Sequence, residues 1–85
     1  MDGMLTLRIL SPEAAVYEGG ARQVSFPGRM APFDVYPQHA PMISSLSTGD
    51  VQWICEDGTS RSLPIKSGIV KIQSDLVQAC VVPQR

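Results

Sequence analysis

Apolar side chains recur at every second position along much of the chain. Leu5-Thr6-Leu7-Arg8-Ile9 sets Leu5, Leu7 and Ile9 on one face and Thr6 and Arg8 on the other, the pattern of a half-buried strand. Residues 15–18 and 22–26 flank Gly19-Gly20, a pair free to take positive φ, and this arrangement predicts a two-residue hairpin. Residues 51–55 and 60–63 flank Glu56-Asp57-Gly58-Thr59, where Asp-Gly is among the strongest short hairpin signals. Residues 69–73 then turn through Ser74-Asp75 into residues 76–82.

Strands therefore recur at roughly the spacing of a sandwich or barrel. Ser11-Pro12-Glu13-Ala14 resembles a helix start, but Gly19-Gly20 leaves a helix little room, and no window of helical length carries an apolar stripe. The pattern predicts an all-β fold. The prolines at 12, 27, 32, 37, 41, 64 and 83 fall mostly at strand ends or between 27 and 41, and Pro64 is expected at an edge strand or bulge.

Composition narrows the partners. At 85 residues the chain is one domain, 1–85, and 44% hydrophobic against 18% charged residues fits an ordered fold. Seven Lys and Arg against eight Asp and Glu give a net charge of −1, with no overall attraction for phosphate backbones, so no nucleic acid partner is expected. The absence of an apolar run of membrane-spanning length and of a leader-like start predicts a cytoplasmic protein. Cys55 and Cys80 lack metal or redox spacing and are expected to be buried free thiols.

Chemistry is sparse. There is no Walker loop, no Cys/His metal spacing and no nucleophile elbow, so no catalytic residue, metal or cofactor is expected. His39 is the only histidine, and without a second such group beside it the expected role is structural, its ring bonding backbone groups of the loop between Pro37 and Pro41. Trp53 shares a face with Val51 and is expected in the core. Met30, between Arg29 and Pro32, reads as an exposed contact residue.

The stretch Phe26-Pro27-Gly28 through Tyr36-Pro37-Gln38-His39-Ala40-Pro41 resembles the most recognisable segment of ATP synthase epsilon chains, which carry a Pro-Gly turn and then a strand ending in Pro-Gly-His-Ala-Pro. Ser11-Pro12-Glu13, Tyr17-Glu18-Gly19, Gly49 and Ser67-Gly68-Ile69-Val70-Lys71-Ile72-Gln73 follow in family order, so the resemblance covers nearly the whole chain. The departures are Gln38 where the family has glycine, Arg29-Met30-Ala31-Pro32 in place of an acidic, glycine-rich loop, and Asp34 at another common glycine.

The resemblance implies a flattened β-sandwich or barrel of about ten short, mainly antiparallel strands, without the two-helix C-terminal domain that most family members carry. It implies a non-catalytic rotor subunit at the cytoplasmic face of the membrane, touching the membrane only through its complex. Its partners would be the gamma subunit and the ring of c subunits, and its role to couple proton or sodium transport to ATP synthesis. Carried over by position, Ser11, Met42, Ile43, Ser44 and Ser45 would face gamma, and Arg29, Met30, Ala31, Pro32 and His39 the ring. ATP binding is not expected, because the family's occasional nucleotide site lies in the helical domain. The rival reading is a small β-sandwich or OB-like module whose loop from Phe26 to Pro41 takes a peptide, sugar or oligonucleotide.

Overall fold

The computed structural model describes residues 3–84, which form seven strands and no helix. They are β1 (Leu5–Leu10), β2 (Ala15–Phe26), β3 (Phe33–Val35), β4 (Met42–Leu46), β5 (Gly49–Cys55), β6 (Ser60–Gln73) and β7 (Leu76–Pro83). The order β1-β7-β6-β5-β2-β3 is closed by a β1–β2 pairing, and β4 adds to β6. All pairs are antiparallel except β1–β7. No described helix is long and apolar enough to cross a membrane.

Two long strands serve both layers. β2 pairs with β1 up to Ala21, then with β5 and β3, and its register shifts between Ala21 and Gln23. β6 pairs with β5 up to Ile65, then with β7 and β4, with a shift between Ile65 and Ser67. An extra residue at each shift bends the strand and lets it change sheets. One layer is thus β4, the second half of β6, β7, β1 and the first half of β2. The other is the first half of β6, β5, the second half of β2, and β3. Strands that turn such corners read as two short ones in the sequence, so the structure has seven where about ten were expected.

Gly19-Gly20 is not a turn. Both glycines lie inside β2, opposite Leu7 and Thr6 of β1. What they supply is space: a Cβ on Gly19 would stand 3.0 Å from the Tyr17 hydroxyl, and one on Gly20 would stand 2.8 Å from a Glu56 carboxylate oxygen. The Tyr17 hydroxyl folds back over the pair to donate to the Gly20 carbonyl (2.9 Å). Residues 11–14 form a turn instead of a helix, closed by the Ser11 amide on the Ala14 carbonyl.

The other hairpins form where expected. At residues 56–59, Gly58 takes φ +89°, and the Asp57 carboxylate accepts from the Thr59 amide (2.9 Å). That bond holds the Asp57 carboxyl below its ordinary pKa. Ser74 and Asp75 both take positive φ, as a two-residue hairpin turn of the primed kind requires. Pro64 precedes the β6 bulge, and its carbonyl accepts from the Gln84 amide (3.0 Å).

The inward set is apolar throughout: Leu5, Leu7, Ile9, Val24, Phe26, Val51, Ile65, Val70, Ile72, Val77 and their neighbours are buried, with no buried charged or polar residue among the described ones. Burying each Val, Leu or Ile contributes about 1.5–3 kcal/mol. Trp53 belongs to this core, its ring 5.2 Å from that of Tyr17, but its buried Nε1 has no hydrogen-bond partner. Burial, and then the Cys55 sulfur 3.7 Å away, push the Tyr17 hydroxyl pKa up. Both cysteines are free, but Cys55 is half-buried and Cys80 exposed. Cys80 falls one position out of phase with inward Ala79 and Val81, which puts it outside the core expected to hold it.

Candidate partner-binding surface

Residues opposed in register share a face, so the pairings list each outer surface row by row. On the layer built from β4, β6, β7 and β1, one row runs Ser45, Ile69, Cys80, Leu10. The next runs Ile43, Lys71, Gln78, Arg8, and reaches Glu18 on β2. Beyond the first row lie Ser67 and Val82. Ile43, Ile69 and Val82 are 67%, 50% and 42% exposed, and with Cys80 and Leu10 they leave an apolar band on an outer sheet face.

The opposite layer is different. Its outer row runs Asp34, Ser25, Gln52, Ser62 across β3, β2, β5 and β6. The Ser25 hydroxyl donates to the Asp34 carboxylate (2.7 Å), and Gln52 and Ser62 continue the polar row. One face is built to remain wet, and the other carries surface that water solvates poorly.

The residues assigned to gamma divide by the strand's alternation. Ile43 and Ser45 point outward, whereas Met42 and Ser44 share the inward side with Ile72 and Val70, and Met42 packs against the core. Ser11 follows Leu10 at the end of the apolar row, and its hydroxyl accepts from the Glu13 and Ala14 amides (3.3 Å each). The sequence reading missed Leu10, Ile69, Cys80 and Val82. The available signal was an apolar residue at a polar phase of the alternation.

Arg29, Met30, Ala31 and Pro32 form an exposed loop, with Met30 97% exposed at its tip. The loop is fixed at its base, where Gly28 bridges to Leu46 and the Arg29 amide donates to the Ser45 carbonyl (3.0 Å). Ser45 therefore joins the apolar face to this loop. His39 is not with them. Its loop precedes β4 and lies beside the Ser74-Asp75 turn, while the Met30 loop lies at the other end of β4, near Gly68. His39 Nδ1 donates to the Ala40 carbonyl (2.7 Å), the backbone bond expected of it.

No group of three or more His, Cys, Asp or Glu among the described residues could hold a metal. Residues 4–82 match the family described as the ATP synthase, Delta/Epsilon chain, beta-sandwich domain. The chain belongs to that family.

Several ATP synthase epsilon chains resemble this member. That of Nitratiruptor sp. is 34% identical over 77 residues, covering 91% of this chain and 60% of the relative. That of Sulfurovum sp. is 32% identical over 79 residues, covering 93% and 61%. That of Campylobacter lari is 35% identical over 77 residues, covering 91% and 59%. The family member described here thus spans about three-fifths of these relatives.

The fold matches a chain of the Euglena gracilis mitochondrial ATP synthase with a TM-score of 0.89 at 13% identity, over 96% of this chain and 52% of that one. A chain in the central stalk and c-ring structure of the Tetrahymena thermophila mitochondrial ATP synthase matches with a TM-score of 0.77 at 10% identity, over 92% and 63%. These two likenesses establish the β-sandwich fold.

Proposed function

We propose that this epsilon-type sandwich is a non-catalytic rotor element of an F-type ATP synthase, peripheral at the cytoplasmic face of the membrane. One face binds the gamma subunit and one loop meets the c-subunit ring, so that proton or sodium movement through the ring is coupled to ATP synthesis. The observation that carries this reading is the asymmetry of the outer faces. An apolar band of Leu10, Ile43, Ile69, Cys80 and Val82 lies on one layer, and a polar row of Asp34, Ser25, Gln52 and Ser62 lies on the other.

Covering an exposed isoleucine removes apolar area from water, worth up to roughly 1.5–3 kcal/mol per side chain. The band runs to Ser45, whose carbonyl anchors the Met30 loop, so a partner on the face and a partner at the loop would lie side by side. Met30, exposed at the tip of this loop, would offer the ring an apolar contact, and Arg29 beside it would bring a cation. His39, at the other end of β4, would act by shaping its own loop and not as part of the ring contact.

Binding of purified gamma to the chain, measured by titration, tests the face. Ile69→Asp and Val82→Asp should each weaken it by about tenfold or more, because each would bury a carboxylate in an apolar contact. Ser62→Asp, on the polar face, should leave it unchanged. Equal effects on both faces, or none on the apolar one, would refute the reading.

A further inference from the structure

We propose that Lys71 forms the centre of a socket for an acidic side chain of the partner that covers the apolar face. The inference rests on the reading above that gamma docks on this face, and it names what gamma must present there.

Two cations stand in the second row of that face, and they differ. Arg8 has its own carboxylate: its Nε lies 3.2 Å from Glu18 Oε2, across the β1–β2 pair. Lys71 lies between Ile43 of β4 and Gln78 of β7 and forms no ion pair among the described residues. Asp75, in the turn that closes this end of the hairpin, already gives its carboxylate to the Gln38 amide. Gln73, Ser74, Leu76 and Gln78 surround Lys71 in a shallow depression of about 280 Å³. That volume suits one side-chain head and not a cofactor.

In water the Lys71 ammonium needs no partner. Once a subunit covers Ile43 and Ile69, the depression loses solvent, and an ammonium left there alone carries a desolvation penalty. A carboxylate seated between Gln73 and Gln78 removes that penalty, and the two amides can donate to its remaining lone pairs. Such a pair would fix where along the face the partner sits, because an apolar band alone tolerates sliding. Cations and polar uncharged groups at the facing position are disfavoured for the same reason.

The test titrates the full chain against purified gamma at low and moderate salt, using Lys71→Met, Lys71→Gln, Lys71→Glu and Val82→Asp, each checked by thermal unfolding. Lys71→Met should lose about tenfold in affinity and most of the salt dependence, and Lys71→Glu should lose more. Lys71→Gln should behave as Lys71→Met does, which separates loss of charge from any effect of the added thioether. Among gamma variants with single Asp or Glu changed to Lys, one should restore binding to Lys71→Glu. If the Lys71 variants bind as the wild type does while Val82→Asp is weakened, the socket is refuted and the docking face stands. If Val82→Asp also binds normally, the face fails and the socket falls with it.

Discussion

The Asp75 carboxylate accepts a 2.6 Å hydrogen bond from the Gln38 backbone amide, and both residues hold positive φ, +61° and +67°. Gln38 is where the resembling family has glycine, so the side chain here is accommodated in a left-handed conformation that glycine adopts freely. The bond joins the loop between β3 and β4 to the β6–β7 turn. The Asp75 carbonyl in turn accepts from Thr6 of β1 (2.8 Å).

Gln38→Gly is therefore expected to stabilise the fold by about 0.5 kcal/mol, the relief of left-handed strain exceeding the added freedom of the unfolded chain. Gln38→Val should cost about 1–2 kcal/mol, because a β-branched side chain tolerates positive φ least. Urea unfolding midpoints check both, and a lower midpoint for Gln38→Gly would contradict the strain assignment.

Asp75→Ala should lose about 1–2 kcal/mol, from the bond to Gln38 and from the positive φ that aspartate bears better than alanine. Asp75→Asn keeps an acceptor and the turn preference and should recover most of that loss. Equal destabilisation by the two changes would mean that charge, and not the hydrogen bond, matters.

How much of this was legible in the sequence depends on what each residue signals. Asp57-Gly58 and Ser74-Asp75 announced their turns because few residues accept positive φ, and that demand is local. The inward set was legible because alternation survives for several residues at a stretch. Gly19-Gly20 misled because a missing Cβ serves two ends, turning the chain and letting Tyr17 and Glu56 lie against it, and only tertiary contact tells them apart. The bends in β2 and β6 were hidden because one extra residue flips the phase of the alternation, which reads as an end and a fresh start. Ile43 came from the resemblance. Ile69, Cys80 and Val82 were overlooked because residues such as Ile69-Val70 and Val81-Val82 look like continuous core when neither face is known.

Glycine substitutions should separate close approach to backbone from close approach to mobile side chains. A Cβ on Gly28 would collide with the Ala31 carbonyl oxygen and stand 2.8 Å from the Phe33 ring, and one on Gly68 would stand 2.7 Å from the Cys80 carbonyl oxygen. Backbone cannot yield cheaply, so Gly28→Ala and Gly68→Ala should each cost about 2 kcal/mol or more. The atoms nearest a Cβ in Gly20→Ala all belong to the Glu56 side chain, which can swing away, so this change should cost under about 1 kcal/mol. Thermal unfolding of the three variants checks the order.

The Trp53 indole carries a buried donor with no acceptor, so part of its favourable burial is offset. Trp53→Phe gives up volume but also removes the orphan N–H, and should cost only about 1 kcal/mol, whereas Trp53→Ala should cost about 3–5 kcal/mol. Denaturant unfolding measures both, and a Trp53→Phe loss as large as that of Trp53→Ala would show that the indole nitrogen is in fact satisfied.

Acid should weaken the β5–β6 hairpin. The Thr59 amide holds the Asp57 carboxyl below its ordinary value of 3.8, so the folded state binds fewer protons there than the unfolded state. That contribution is present in full above pH 3.8 and is lost as pH falls through the lowered folded value. Asp57→Asn removes the titration while keeping an acceptor for Thr59. The stability difference between wild type and Asp57→Asn should shrink from pH 5 to pH 2.5, about the range that brackets the shift, as followed by unfolding at fixed temperature. A constant difference would show that the carboxylate's charge plays no part.

The two strands that cross between layers also set how the domain bears load. Because β2 and β6 run unbroken from one sheet into the other, a force applied to the apolar face reaches the polar layer through covalent backbone, and not only through side-chain packing. Sliding one sheet over the other would have to tear ladder hydrogen bonds on both sides of each bulge together. Shear is thereby opposed at two corners of the sandwich, at the residues next to Ala21 and Ile65. A body loaded from one side is expected to yield first at those corners, where the extra residue leaves the ladder locally unpaired, so amides there should exchange before those of the paired stretches on either side.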